Sequence, residues 1–166
     1  MKIYLIGMPG SGKTTLGLQL ASDLMLDFVD LDAEIVKHEG MPVPDIFQGK
    51  GEAYFRQVES DVLHEWAASS KSFVMATGGG APCFLQGIEV INQTGLSIFL
   101  DVDFSEIMRR ISSATHRPLL RASDDNERRT RLMKLLDTRL PVYRRAKITL
   151  HNPTRRDLLS AVNPRS

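Results

Sequence analysis

Residues 3–14 read IYLIGMPGSGKT, and the rest of the chain can be interpreted relative to this stretch. Its apolar run, residues 3–6, is short enough for a buried strand of a parallel sheet. The run leads directly into a match to the phosphate-binding loop pattern G-x-x-x-x-G-K-[ST], formed by Gly7, Gly12, Lys13 and Thr14. We therefore predict a strand, a glycine-rich turn and a helix that together bind the phosphates of a nucleotide.

Each part of this loop has a role in holding phosphate. Glycines let the backbone curl so that successive amides face phosphate oxygens. Lys13 adds a mobile positive charge, and the Thr14 hydroxyl can bind Mg²⁺. The next helix has an apolar stripe at Leu16, Leu20 and Leu24 and presents its positive N-terminal end to the same anion. The residues expected to contact the nucleotide are Gly10, Ser11, Gly12, Lys13, Thr14 and Thr15.

The composition is that of an ordinary globular protein. The chain has 166 residues, of which 42% are hydrophobic and 25% charged, and we interpret residues 1–166 as a single domain. No apolar run approaches the about 20 residues that span a bilayer, and the apolar N-terminal stretch is too short for a signal peptide. A single cysteine, Cys83, excludes an internal disulfide. We expect a cytoplasmic monomer with no membrane partner.

Charge is distributed unevenly along the chain. Residues 104–147 contain 12 basic and 5 acidic residues, whereas the remainder contains 9 basic and 15 acidic ones. A basic segment of this kind is compatible with nucleic-acid binding, with arginines gathered around a polyphosphate, or with a solvated helix face. Because no aromatic residue interleaves with the arginines of residues 128–131, we expect no nucleic-acid partner.

Strands and helices alternate along the whole chain. This order predicts a three-layer α/β/α fold of the P-loop kinase type, with a central five-stranded parallel sheet. The strands are predicted at residues 3–6, 28–30, 73–75, 96–101 and 147–150. Residues 42–51 are interpreted as a connecting loop with a short turn at 45–47, and a helix over 127–140 is expected to stop at Pro141. Residues 112–125 lack apolar periodicity and are predicted to form a mobile lid.

Polar residues follow the predicted strands at their carboxyl ends, where ligands bind in open α/β sheets. Asp30 and Asp32 are two residues apart, so both can face one side. One carboxylate could hold a Mg²⁺-bound water, and the other could accept a hydrogen bond from an acceptor hydroxyl. The alternative is that Asp32 caps a helix and Asp30 forms a loop turn. Residues 78–80 are three glycines, which would either let a ligand touch backbone amides or form a flexible turn.

Three arginines are candidates for binding anions. Arg56 lies on the predicted helix 52–68, with Glu59 three residues later. Such a pair is usually exposed and weakly stabilising, but here it could hold the guanidinium for a planar carboxylate. Arg139 lies at a helix end, from which its head group can reach inward. Arg117 lies in the predicted lid and could bring positive charge to a phosphoryl group when the lid closes.

Taken together, these motifs resemble the shikimate kinase family over nearly the full chain. The matching blocks are GMPGSGKT from Gly7, DLDAEI from Asp30, IFQGKGEAYFRQVE from Ile46, ATGGG from Ala76, RPLL from Arg117 and RLPVYRRA from Arg139. The resemblance implies phosphorylation of the 3-hydroxyl of shikimate by ATP with Mg²⁺, a reaction that supplies aromatic amino-acid synthesis. It also implies that residues 31–60 form the substrate-binding segment.

Individual roles also follow from the resemblance. Thr14 and Asp30 would hold Mg²⁺, and Lys13, Asp32 and Arg117 would be the catalytic residues. The shikimate site would consist of Asp32, Phe47, Arg56, Gly78, Gly79, Gly80 and Arg139, with Glu59 bracing Arg56. Besides the phosphate-binding loop, ATP would be contacted by Arg117 from the lid and by Arg110 and Pro153 beside the adenine.

The sequence departs from the family pattern in two places. Arg144 and Arg145 follow Tyr143, where the family often has an acidic residue, and the loop before Pro153 matches loosely. Two other functions are therefore considered alongside a shikimate kinase: a nucleotide-binding regulator that has lost catalysis, and a nucleic-acid-binding protein. Kinases of sugar acids such as gluconate share the phosphate-binding loop but should lack the joined set of the other motifs.

Overall fold

The computed structural model describes residues 1–113 and 125–163 of the chain. The strands in these residues are β1 (Lys2–Ile6), β2 (Asp27–Asp30), β3 (Phe73–Ala76), β4 (Leu96–Asp101) and β5 (Ile148–His151). The helices are α1 (Lys13–Leu24), α2 (Leu31–Glu39), α3 (Val43–Lys50), α4 (Glu52–Ala68), α5 (Gly87–Thr94), α6 (Phe104–Ser112), α7 (Asp125–Tyr143) and α8 (Arg155–Val162). A short 3₁₀ turn, Ala81–Cys83, follows β3. Residues 114–124, most of the predicted lid, lie outside the described part, and so does Arg117.

The sheet has the order β2-β3-β1-β4-β5, and all its neighbouring strands are parallel. Strand β1 lies at the centre, where Leu5 pairs with Ala76 of β3 and with Ile98 of β4. This position explains why residues 3–6 are apolar without alternation, since both faces of a central parallel strand are covered. The predicted five-stranded parallel sheet is confirmed.

Alternate residues of β1 enter two separate hydrophobic cores. Tyr4 and Ile6 belong to a core on one face of the sheet, while Leu5 packs into a core on the other face with Leu20 of α1 and Leu158 of α8. Successive side chains of a strand point to opposite faces, so the two cores lie on either side of the sheet. The predicted three-layer α/β/α architecture is therefore confirmed.

Two predicted element boundaries were wrong. Residues 42–51 were expected to be a loop, but Val43–Lys50 form helix α3. Proline is tolerated in a first helical turn, where Pro44 lies, and the helix is anchored by Ile46, which is fully buried. Helix α7 was expected to stop at Pro141 but continues to Tyr143, whose side chain is fully buried. Pro141 thus lies within the last turn of α7, and the helix ends two residues later at the buried Tyr143.

A substitution at Gly95 tests the packing at the end of helix α5. A Cβ at this position would approach the carbonyl oxygen of Lys2 and would lie 2.8 Å from the Tyr4 ring. Backbone cannot move aside cheaply, so Gly95→Ala is expected to lower the free energy of unfolding by about 1–3 kcal/mol in urea titrations.

The matched control is Gly49→Ala on α3. Among the described residues, no heavy atom outside its immediate neighbourhood lies within 4 Å of a Cβ placed on Gly49. Alanine favours helix over glycine by about 0.5–1 kcal/mol, so this change should leave stability unchanged or raise it. If Gly95→Ala were as stable as the wild type, the close packing of Gly95 against Lys2 and Tyr4 would be contradicted.

Candidate active site

A cleft of about 890 Å³ lies at the carboxyl edge of the sheet, where β1, β2 and β3 end. Most of the residues predicted from sequence to form the site line this cleft: Gly10, Gly12, Lys13, Thr14, Thr15, Asp30, Asp32, Phe47, Arg56, Gly78, Gly79, Gly80, Arg110, Arg139 and Pro153. Ser11 is buried within the loop instead, with 1% of its surface exposed. Arg117 lies outside the described residues. The chain thus brings its phosphate-binding loop and its candidate acceptor residues into one cavity.

The end of the cleft formed by the phosphate-binding loop is suited to anions. Gly10 and Gly12 have φ angles of 80° and 94°, which turn the backbone tightly before α1 begins at Lys13. Within the described residues no side chain caps α1, and its first turn contains no acidic residue. The Lys13 ammonium group lies across the loop and donates to the carbonyls of Gly7 and Met8, each at 2.8 Å. Helix amides and a lysine are the groups that bind polyphosphate.

Arg110 connects helix α6 to this loop. Its Nη1 donates to the Gly10 carbonyl at 3.0 Å, and its Nε donates to Glu106 at 2.9 Å. Hydrogen bonds from Arg109 and Arg110 lower the pKa of Glu106 to about 2, so this carboxylate stays ionised and holds Arg110 in place. Arg110 and Pro153 also line a smaller cavity of about 270 Å³ beside the loop.

The two aspartates after β2 have different local roles. Asp30 caps α2, because its Oδ1 accepts a hydrogen bond from the Ala33 amide at 3.2 Å. Asp32 lies in the first turn of α2, and a Cβ on Gly78 would be 3.1 Å from its Oδ1. The alternative that Asp32 is the cap and Asp30 a loop turn is therefore wrong. Both carboxylates line the cleft.

The donors available for a metal ion in the cleft are few. In residues 1–113 and 125–163, no cluster of three or more His, Cys, Asp or Glu side chains could hold a metal. Thr14 and Asp30 nevertheless line the same cleft beside the anion-binding loop. This fits Mg²⁺, which is usually held by one or two protein oxygens together with water and substrate phosphates.

Arg56 and Glu59 form a buried ion pair on α4. Nη1 of Arg56 donates to Oε1 of Glu59 at 2.9 Å, and the two side chains are only 9% and 4% exposed. The alternative of an exposed, weakly stabilising pair is thus wrong. Burial raises the pKa of Glu59, although the neighbouring Arg56 opposes this shift.

Arg56 retains hydrogen-bonding capacity. Its Nε is buried and makes no hydrogen bond within the described part of the chain, although a carboxylate oxygen of Glu52 lies 3.5 Å away. A buried donor without an acceptor is costly, and a planar carboxylate is the group that a guanidinium binds best. The arrangement therefore favours a carboxylate ligand.

The three glycines after β3 allow the arginines to approach the backbone. A Cβ on Gly79 would lie 2.7 Å from Nη1 of Arg139, and a Cβ on Gly80 would lie 2.7 Å from Cζ of Arg56. Any side chain at these positions would displace a guanidinium. Close packing of the two arginines against the backbone therefore explains why these residues are glycines. The alternative of a merely flexible turn does not explain it.

Two residues that contact the site, Tyr143 and Phe84, were not predicted from the sequence. Tyr143 is fully buried and donates to the Gly79 carbonyl at 2.5 Å. Burial raises its pKa, so the phenol stays protonated and donates. Its position one turn after Arg139 on α7 was an available signal. Phe84, whose ring lies over Arg56, follows the 3₁₀ turn and has no such signal.

Several basic residues outside the cleft form ion pairs. Arg145 forms an ion pair with Glu89 at 2.8 Å, and neither it nor Arg144 lines the cleft. On α7, Arg131 pairs with Glu127 at 2.6 Å. None of the helices described is long and apolar enough to cross a bilayer.

Comparison with known proteins identifies the family. The family model for shikimate kinase matches residues 9–161. A shikimate kinase of Bacteroides fragilis is 40% identical over 147 residues, covering 88% of this chain and 82% of that protein. A shikimate kinase of Aquifex aeolicus is 36% identical over 148 residues, covering 89% of this chain and 84% of that protein.

Solved structures agree. The shikimate kinase from Acinetobacter baumannii in complex with shikimate superposes with a TM-score of 0.87 and 35% identity, covering 98% of this chain and 90% of that chain. The shikimate kinase from Bacteroides thetaiotaomicron superposes with a TM-score of 0.89 and 36% identity, covering 99% and 95% of the two chains. The family predicted from the sequence motifs is confirmed: the chain belongs to the shikimate kinase family.

Proposed function

We propose that the cleft transfers the γ-phosphoryl group of ATP to the 3-hydroxyl of shikimate in the presence of Mg²⁺. The observation that carries the proposal is the buried Arg56, whose Nε makes no hydrogen bond in the described part of the chain. It lies with Asp32 and Arg139 in the same cleft as the phosphate-binding loop. A cyclic hydroxy acid bound there would direct its carboxylate to the arginines and a hydroxyl toward the phosphate donor.

The donor half of the site is built on α1. The amides of its first turn, together with Lys13 and Thr15, would bind the phosphates, and Lys13 would exchange its loop carbonyls for phosphate oxygens. Mg²⁺ held by Thr14 and Asp30 would neutralise charge on the phosphates and orient them. Arg110 and the segment at Pro153 would flank the adenine. Arg117 is proposed to supply a further cation from the lid.

The acceptor half of the site surrounds Gly78–Gly80. Arg56, braced by Glu59, and Arg139 would bind the carboxylate, while Phe47 would pack against the ring of shikimate. Asp32 would accept a hydrogen bond from the 3-hydroxyl and take its proton. The hydroxyl oxygen then bonds to the γ-phosphorus as the bond to the bridging oxygen of ADP breaks.

The chain is further proposed to act as a cytoplasmic monomer. The cleft lies within a single chain, and its donor and acceptor halves are both formed by described residues of that chain. A second subunit is therefore not needed to provide the groups assigned above.

An assay of ADP release with different acceptors tests the proposed activity. We expect turnover with shikimate at millimolar concentration, and little with gluconate or nucleoside monophosphates, because the pocket provides two arginines for one carboxylate on a compact ring. No turnover with shikimate would refute the proposal. Tight ATP binding without phosphoryl transfer would instead favour the nucleotide-binding regulator.

Asp32→Asn tests the assigned proton acceptor. The amide keeps the shape of the side chain but cannot take a proton, so kcat should fall by about 10²-fold or more while the KM for ATP changes little. The control is Asp45→Asn, an acidic residue on α3 that does not line the cleft and should leave kcat unchanged. Near-normal turnover of Asp32→Asn would show that Asp32 is not the proton acceptor.

The raised pKa of Glu59 predicts a pH effect on shikimate binding. On acidification this carboxylate takes up a proton at a higher pH than an exposed glutamate with its usual pKa of about 4.3, and protonation breaks the ion pair with Arg56. The KM for shikimate should therefore rise on acidification, and this rise should begin at a higher pH than for a glutamate with its usual pKa.

In Glu59→Gln this residue is neutral at every pH. Its KM for shikimate should be high throughout, and the dependence on pH in the acidic range should be weaker than in the wild type. Parallel pH profiles of KM for the two proteins would contradict this role of Glu59.

A further inference from the structure

An aromatic ring covers one face of the buried Arg56 guanidinium. The centroid of the Phe84 ring lies 4.1 Å from Cζ of Arg56, whereas the Phe55 ring is 5.2 Å away. The 4.1 Å separation is that of direct stacking between a cation and a ring face. Phe84 itself is 38% exposed, so it lies at the rim of the acceptor half rather than in the core.

The loop that carries Phe84 is held by close backbone contacts. The Cys83 amide donates to the Gly80 carbonyl, and the Gly87 amide donates to the Phe84 carbonyl, both at 2.9 Å. A Cβ on Gly87 would collide with the carbonyl of Ala81, so the loop closes tightly on itself. These contacts connect Phe84 directly to the last of the three glycines.

The backbone after Phe84 adopts an unfavourable conformation. Leu85 and Gln86 have φ angles of 47° and 60°, in the left-handed region that residues other than glycine seldom occupy. The Leu85 side chain is 51% exposed, so burial of that leucine does not compensate for the conformation. The turn sets the direction of the chain beside Phe84, whose ring lies over Arg56.

We propose that Phe84 is a positioning residue for carboxylate recognition, because its ring fixes the plane in which Arg56 presents its remaining hydrogen-bond donors. The inference rests on the proposed function, since it names how that acceptor site holds its arginine. Phe84 is not expected to touch the reacting atoms.

The Phe84 ring is expected to limit the tilt of the Arg56 guanidinium. Its five N–H donors lie in one plane, and a bidentate contact requires the carboxylate to lie in that plane. Nη1 is held by its hydrogen bond to Glu59, and Nε has a longer contact of 3.5 Å with Glu52, so these carboxylates alone leave the group some freedom to tilt. A ring stacked on one face limits the tilt and excludes water from that face, which strengthens the attraction to an anion.

Variants of Phe84 separate stacking from simple apolar packing. Phe84→Leu keeps an apolar side chain but removes the ring, and the KM for shikimate is expected to rise about tenfold, which lies within the range for a cation–ring contact. The values of kcat and of KM for ATP should stay within about twofold of the wild type, because the phosphate-binding loop does not depend on Phe84. Phe84→Tyr keeps the ring and should retain the wild-type KM for shikimate.

Two further proteins make the test specific. Leu85→Ala changes the exposed neighbour and should leave all three parameters unchanged. In an Arg56→Ala background, Phe84→Leu should cause no additional rise in the KM for shikimate, because the group that the ring positions is gone.

The outcomes distinguish this inference from the proposed function. Absence of shikimate turnover by the wild-type enzyme would refute both. Wild-type turnover combined with an unchanged KM in Phe84→Leu would refute the inference alone. An equal rise in the KM values for shikimate and ATP, or the same rise with and without Arg56, would also overturn it, since either result indicates a general disturbance of the loop.

Discussion

The close approach of glycine backbone to two buried guanidinium groups is the constraint on which the acceptor half depends. Arg56 and Arg139 occupy the space where side chains of residues 79 and 80 would otherwise be. Once the arginines are there, each needs charge and hydrogen-bond partners, because a buried cation without them is strongly unfavourable. Glu59 provides part of this for Arg56, and the Tyr143 hydroxyl donates to the backbone of Gly79, beside Arg139. The pocket is thus held by polar contacts as much as by apolar packing.

The donor half follows a different physical rule. It uses backbone amides, a lysine and a helix end, groups that recognise phosphate whatever molecule carries it. Arg110 joins this half to α6 through the Gly10 carbonyl and Glu106. The parallel sheet brings the two halves together because the carboxyl ends of neighbouring strands meet at one edge. Strand order therefore places the phosphate-binding loop beside the proposed acid site.

The strands could be predicted from sequence because apolar runs with sharp ends indicate buried parallel strands. Helix α3 could not be predicted. Its eight residues, Val43–Lys50, lie between Pro42 and Gly51 and show too little periodicity to distinguish a helix from a turn. Asp30 rather than Asp32 caps α2 because this helix already begins at Leu31. The stacking of Phe84 on Arg56 joins segments distant in sequence, and local patterns contain no information about such a contact.

Selectivity for an acid can be understood from the state of Arg56 before the substrate binds. The side chain is buried, and its Nε makes no hydrogen bond in the described part of the chain. A buried donor without a hydrogen bond costs on the order of 1–3 kcal/mol; the Glu52 carboxylate, 3.5 Å from Nε, offsets part of this cost, and a ligand that provides an acceptor recovers the rest on binding. A neutral polyol of similar shape can satisfy the donor only through a hydroxyl, without the added attraction between opposite charges. A site built in this way therefore discriminates between ligands by what they leave unpaired, which is a stronger basis for selectivity than shape alone.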